Sequence, residues 1–406
     1  MVKVVFLHPD LGIGGAERLV VDAGLALQQK GHLVHFVTSH HDPGHCFSET
    51  RDGTLKVTVA GDWLPRSMFG HFYALCAYLR MVYAAIYLVL FSKLDPEVVF
   101  CDQISVCVPV IKLLSTAKVL FYCHFPDQLL SKPGGRLKQL YRGPLNWLEE
   151  STTGQADVVM VNSRFTSGVF SDTFPRLRSV QPKVLYPSLN TDFFDTKVHL
   201  DLAEVTGVKL PKNVILFLSI NRYERKKNLG LAVSALAHMQ KNLDEPTFAK
   251  VHLVMAGGYD NRVDENIQHF EELQQLVEEH GLQEKVTLLR SPSDEAKLVL
   301  LRSCVALVYT PENEHFGIVP LEAMYLGRPV IAANSGGPKE TVVHGHTGFL
   351  CPPEPQGFAA AMVKVANGEI GDLSEQCRDR VIKNFSFQAF TNDLNSSVCA
   401  LIEQSS

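Results

Sequence analysis

Apolar residues in this chain gather into short runs separated by longer stretches of helical period, and that alternation occurs twice. Val2 to Leu7, apolar but for Lys3, has the character of a central parallel strand buried on both faces. It leads directly into His8-Pro9-Asp10-Leu11-Gly12-Ile13-Gly14-Gly15-Ala16-Glu17, then into a predicted helix from Arg18 to Lys30 that Gly31 ends. His32 to Thr38, Leu55 to Ala60, Glu97 to Cys101, Lys118 to Cys123 and Asp157 to Val161 read as further strands with helices between them, which makes a doubly wound α/β half. From Tyr186 to Pro211 the pattern breaks up, as at a hinge. A second series follows at Val214 to Ile220, Val251 to Ala256, Val286 to Leu289, Cys304 to Tyr309, Pro329 to Ala333 and Gly348 to Leu350. Two Rossmann-like domains facing one another across a cleft are expected, at residues 1–189 and 190–385. A helix within 386–406 is expected to pack back on the first.

Composition agrees with two cores rather than one, since 406 residues at 46% hydrophobic content exceed a single core. A net charge of -5 lacks the basic surplus of a nucleic-acid binder. Nine scattered cysteines without a CxxC pair read as reduced thiols in a cytosolic compartment, so the sequons at Asn384 and Asn395 carry no meaning. No cleavable signal peptide is read at the start of the chain. Phe72 to Phe91 is apolar except for Arg80, and its uninterrupted part from Met81 is short for a membrane span. Burial in the domain is one reading. The other is an in-plane membrane helix with Tyr73, Tyr78, Tyr83 and Tyr87 near the headgroups and Arg80 snorkelling, and membrane contact is favoured over a span.

Candidate chemistry collects at the ends of the predicted strands, where ligands bind in open α/β sheets. In Val305 to Leu326, Glu314 stands before a glycine turn and Glu322 in the first turn of a helix that Pro320 can open. Free amides around Gly317, Ile318 and Val319 and the helix dipole favour an anion there, and a phosphate fits. Glu322, which a phosphate would repel, suits sugar hydroxyls; a nucleotide carrying a sugar at each end of its pyrophosphate satisfies both. Arg222 lies at the end of the first strand of the second half and Lys227 just before the next helix, so both can reach an anion. Gly257-Gly258 and Asn334-Ser335-Gly336-Gly337-Pro338 end later strands. In the first half, Gly14 and Gly15 let a ligand approach the backbone, but Glu17 replaces the third glycine of a dinucleotide fingerprint, which disfavours an oxidoreductase. His124 follows Lys118 to Cys123 and is open to either a structural or a ligand role. Lys132 to Trp147, with Lys132, Arg136, Lys138 and Arg142, is either a solvated basic face or a draw for a lipid-linked anion.

The Glu-x7-Glu pair within PENEHFGIVPLEAM, Arg222 with Lys227, the first glycine turn and NSGGPKE together resemble retaining glycosyltransferases of the GT-B fold, family 4. The resemblance covers nearly the whole chain. HPDLGIGGAERLV, AGDWLPR, YCHFPD, LYPSLN and INRYERKKN resemble, more narrowly, the dolichol-pathway alpha-1,3/1,6-mannosyltransferases of the endoplasmic reticulum. The resemblance implies GDP-mannose as donor and a dolichol-diphosphate-linked oligosaccharide as acceptor, at the cytosolic face of the endoplasmic reticulum membrane. Other mannosyltransferases of that pathway are implied as partners, and no nucleic acid. It implies that Arg222 and Lys227 hold the diphosphate and that Glu322 accepts from the ribose. Gly317, Ile318 and Val319 would present amides, Gly14 and Gly15 would lie near phosphate or acceptor, and Glu314 and His124 near the reacting sugar. Glu314 stays open between nucleophile and sugar contact. No cofactor and no metal is expected. Asn221 departs from the family's usual glycine, which puts the local backbone in question. A non-catalytic GT-B scaffold, or an epimerase or phosphorylase of the same architecture, is the rival expectation.

Overall fold

The computed structural model describes residues 1–131 and 135–403. The chain forms two compact units, Met1–Ser188 with Phe387–Ser406, and Leu189–Ser386. Among the described residues of the first unit, the strands are β1 (Lys3–His8), β2 (Leu33–Thr38), β3 (Lys56–Val59), β4 (Val98–Asp102), β5 (Lys118–Cys123), β6 (Val158–Val161) and β7 (Lys183–Val184). They form one parallel sheet in the order 3-2-1-4-5-6-7. Successive side chains of a strand point to opposite faces, and β1 uses both: Val4 and Phe6 join the core under the Gly15–Gln29 helix, Val5 and Leu7 the core under the Tyr73–Leu90 helix.

The Phe387–Glu403 helix closes the first of these cores. Phe390, Leu394, Val398 and Leu401, spaced to share one helical face, are buried against Leu19, Val20, Ala23 and Leu27. Lys183 Nζ donates to Ser397 Oγ at 2.7 Å, and His32 bonds Asn395 at 2.8 Å.

Tyr73–Leu90 is long and apolar enough to cross a membrane, with a mean hydropathy of 1.7, yet Met81, Ala84, Ala85 and Leu88 pack onto the sheet. The expectation that Arg80 snorkels and Tyr78 sits at headgroups is corrected. Both are 6% exposed, and the Arg80 guanidinium turns inward to the Ser39 carbonyl at 2.6 Å and Asp62 at 3.0 Å. A buried guanidinium needs such partners, and Asp62 comes from the loop after β3, out of view of any reading of the helix alone. Of the basic stretch, Lys132 lies outside the described residues, and Arg136–Thr153 is helical.

In the second unit β8 (Ile215–Ile220), β9 (Val251–Gly257), β10 (Val286–Arg290), β11 (Ala306–Tyr309), β12 (Val330–Ala333) and β13 (Gly348–Cys351) form a parallel sheet in the order 10-9-8-11-12-13. Each sheet therefore has a point where the winding reverses, between β1 and β4 in one and between β8 and β11 in the other. The segment after Ser188 has little regular structure but is fastened along the second unit. Leu189 N–H donates to the Phe385 carbonyl, Arg302 donates to the carbonyls of Phe194 and Thr196, and Tyr325 bonds Asp195.

Candidate active site

In the second unit the reversal point between β8 and β11 gathers the expected residues. After β8 the chain runs through Asn221, Arg222 and Tyr223 into a single turn at Arg225–Lys227. Tyr223 is the anchor: its side chain is buried and its hydroxyl lies within hydrogen-bond distance of the Met255 and Leu289 carbonyls, at 3.1 and 3.0 Å. Asn221 continues the ladder, its N–H donating to the Ala256 carbonyl at 3.0 Å, without the positive φ that would demand glycine. The Arg222 side chain is 62% exposed and pairs with Glu224 at 2.9 Å, and Glu224 also holds Lys226 at 3.1 Å. Lys227 is different. Thr310, just past β11, donates to its carbonyl at 2.8 Å, and its ammonium is bonded to Glu314. A cation from one side of the reversal point thus meets a carboxylate from the other.

The loop carrying Glu314 is fixed from beneath. Gly317 has φ 83°, a left-handed conformation open to glycine, and a Cβ there would also meet the Tyr309 hydroxyl at 3.3 Å. Burial, then the charge and hydrogen bond of Glu314, raise the Tyr309 hydroxyl well above its ordinary pKa, so it stays a donor to that carboxylate. Gly336, at φ 61°, lies so close to the backbone of Glu314 that a Cβ would come within 2.5 Å of its carbonyl oxygen, and Gly337 N–H donates to that carbonyl at 2.7 Å. Neighbouring His315 is held below its usual pKa by burial, with Lys227 and Lys226 lowering it further and Glu314 opposing.

The helix expected to open at Pro320 begins at Ile318 and runs to Tyr325 with no side chain capping it. Amides at its start are therefore available to an anion. Glu322 consequently sits in the second turn rather than the first, and is 7% exposed. Sequence reasoning missed its partner: Lys297, on the Asp294–Ser303 helix, approaches both carboxylate oxygens, at 2.7 and 2.6 Å. A carboxylate offers about four lone-pair positions, so acceptor capacity remains for hydroxyl groups beside that ammonium.

In the first unit, Gly14 precedes and Gly15 begins the Gly15–Gln29 helix, which also lacks a side-chain cap. His124 follows β5, and its Nε2 lies 2.9 Å from Asp102 Oδ2. Asp102, at the end of β4, is bonded through its other oxygen to His8 Nδ1 at 2.7 Å. The backbone beyond His124 is pinned too: Asn162 donates to the His124 carbonyl, and Glu149 accepts from the amides of Asp127 and Gln128. Neither His8 nor Asp102 stands out in the sequence. Among the described residues no group of three histidine, cysteine, aspartate or glutamate side chains is arranged to hold a metal ion.

The family model described as "Glycosyltransferase Family 4" matches residues 13–193, and that described as "Glycosyl transferases group 1" matches residues 204–384. Among solved structures, sucrose-phosphate synthase from Thermosynechococcus elongatus superposes with a TM-score of 0.72 at 21% identity, over 99% of this chain and 100% of that one. Anabaena HepE in complex with UDP does so with 0.71 at 18% identity, over 98% and 100%. With two Rossmann-like units and these matches, the chain is a glycosyltransferase of the GT-B fold. Curated relatives are closer still. Alpha-1,3/1,6-mannosyltransferase ALG2 of Homo sapiens is 51% identical, covering 98% of this chain and 96% of that protein; the Rhizomucor pusillus protein of that name is 47% identical over 98% and 92%. ALG2 of Saccharomyces cerevisiae is 41% identical over 97% and 84%. The chain belongs to the ALG2 family of alpha-1,3/1,6-mannosyltransferases, the enzymes of N-glycan precursor assembly, as the sequence resemblance implied. A non-catalytic scaffold is not favoured.

Proposed function

We propose that this chain transfers mannose from GDP-mannose to a dolichol-diphosphate-linked oligosaccharide at the cytosolic face of the endoplasmic reticulum, adding the second and third mannoses in alpha-1,3 and alpha-1,6 linkage. The observation that carries this reading is the Lys227–Glu314 pair at the β8/β11 reversal point, beside an uncapped helix start. Breaking the bond from sugar to diphosphate puts negative charge on the leaving group, and preorganised cations and amides lower the barrier by meeting that charge. In this reading Arg222 and Lys227 take the diphosphate with the amides of Gly317, Ile318 and Val319, and no metal is required. Glu322 receives the ribose hydroxyls while Lys297 holds it in place. Glu314 faces the donor sugar once the diphosphate has drawn Lys227 away. Gly14 and Gly15 serve phosphate or acceptor, and His124 the reacting mannose.

An exposed apolar patch supports the membrane assignment. On the Arg136–Thr153 helix Leu137, Leu140 and Trp147 are exposed, with Arg136 and Lys138 beside them. The Phe72 ring rests on Tyr141 at 5.3 Å, which joins exposed Phe69, Phe72 and Tyr73 to the same surface. Apolar side chains flanked by cations suit an anionic lipid interface.

Purified chain incubated with GDP-mannose and a synthetic phytanyl-diphosphate acceptor, with other sugar nucleotides in parallel, tests the reading. Mass and linkage analysis should show mannose added only from the guanosine donor. Absence of product, or release of GDP at the same rate without acceptor, would overturn it.

A further inference from the structure

His8 ends β1, Asp102 ends β4 and His124 follows β5, three strands adjacent in the sheet. Parallel strands finish on one side of a sheet, so backbone register alone brings these residues together at the reversal point, where open α/β sheets bind their ligands. Asp102 is 1% exposed and His8 fully buried, whereas the His124 side chain keeps 19% of its surface. A carboxylate at that depth is costly unless both oxygens are bonded. Each takes one imidazole, His8 Nδ1 at 2.7 Å and His124 Nε2 at 2.9 Å.

We propose that Asp102 is a positioning residue for mannosyl transfer, acting through His124, with His8 bonded to its other oxygen. The inference rests on the reading of His124 as a contact to the reacting mannose. Burial pushes Asp102 up, but the two imidazoles outweigh it and hold the carboxyl below its usual range, so it is ionised and can only accept. Each imidazole must therefore carry its proton on the nitrogen facing Asp102. For neutral His124 this fixes the lone pair on Nδ1, the atom turned away from the carboxylate. Its ring is also held by Tyr122, packed edge-on with centroids 4.7 Å apart. Asp102 and Glu17 raise the pKa of His8 despite its burial. Glu17 Oε1, in the first turn of the Gly15–Gln29 helix, lies 3.9 Å from His8 Nε2.

Carboxylates that orient a functional histidine, as those behind metal-ligating histidines do, are worth about 10- to 100-fold in activity. Asp102→Asn, His124→Ala and the double variant are compared in the full chain, with transfer kinetics and melting temperature as readouts. Asp102→Asn should lower kcat by about 10- to 100-fold with little change in donor KM, and cost nothing further in the His124→Ala background. An equal loss in that background overturns the inference while sparing the His124 reading; full activity of His124→Ala overturns that reading and the inference with it. Histidine nitrogen spectra of the unsubstituted chain decide the matter even if Asp102→Asn does not fold. The His124 signal, identified by its loss in His124→Ala, should show the proton on Nε2, and a proton on Nδ1 overturns the proposal.

Discussion

Lys227 and Glu314 form an ion pair, and under the proposed function a diphosphate has to separate them. The two substitutions should therefore differ in kind. Lys227→Ala removes the cation proposed to meet the leaving group, and its kcat/KM should fall by roughly 10²- to 10³-fold, with weaker GDP binding. Glu314→Ala frees the ammonium, so GDP should bind as well as before or better while kcat falls about 100-fold or more; calorimetry with GDP alongside steady-state rates separates the two. A second residue with a measurable consequence is His252 in β9, buried and bonded to Thr287 at 2.8 Å. Burial, then Lys285, lower its pKa to about 4 from an ordinary 6.5. Between those values the unfolded chain binds a proton that the folded chain refuses. The contribution is complete above pH 6.5 and lost as pH falls toward 4. Melting temperatures should drop over that window, and less steeply in His252→Gln. At this scale the sequence exposes residues whose setting is local: Glu314, Gly317 and Lys227 stand beside turn signals. Lys297, His8 and Asp102 do not, because their partners lie 25, 94 and 22 positions away and only sheet register or helix packing joins them.

Elements were legible where period decides and obscure where environment does. The two-face burial of β1 follows from its nearly unbroken apolar run, and the glycine turns after β1 and β12 mark real strand ends. Tyr73–Leu90 shows the limit. Its composition suits lipid or protein equally, and Arg80 is settled by Asp62 and Ser39, which its own helix cannot reveal. The Phe387–Glu403 helix supplies four apolar side chains that are almost wholly buried. At about 1.5–3 kcal/mol each, their loss amounts to roughly 6–12 kcal/mol, comparable to the stability of a whole domain. Deleting residues 387–406 should therefore unfold Met1–Ser188 while leaving the second unit's protease-resistant core; limited proteolysis with mass mapping reads the difference.

For the whole molecule, exposed Leu137, Leu140, Trp147 and Phe69 form a surface that no strand or helix signal singles out, since exposure is a property of the finished fold. Leu137→Asp combined with Leu140→Asp should release the chain from vesicles containing anionic lipid while leaving transfer to a detergent-solubilised acceptor intact, as flotation and rate assays would show. The order of the chain through its two units has an outcome of its own. Residues 189–386 sit as an insertion between the bulk of the first unit and the helix that completes it. Domains generally mature in the order in which they leave the ribosome, but this chain order predicts that the later-made unit is finished first, while the earlier one waits with an open groove along Leu19, Val20 and Ala23. Nascent chains stalled just after residue 386 should already protect the second unit from protease and leave the first cleavable, and that unfinished groove is where a chaperone would be engaged during synthesis.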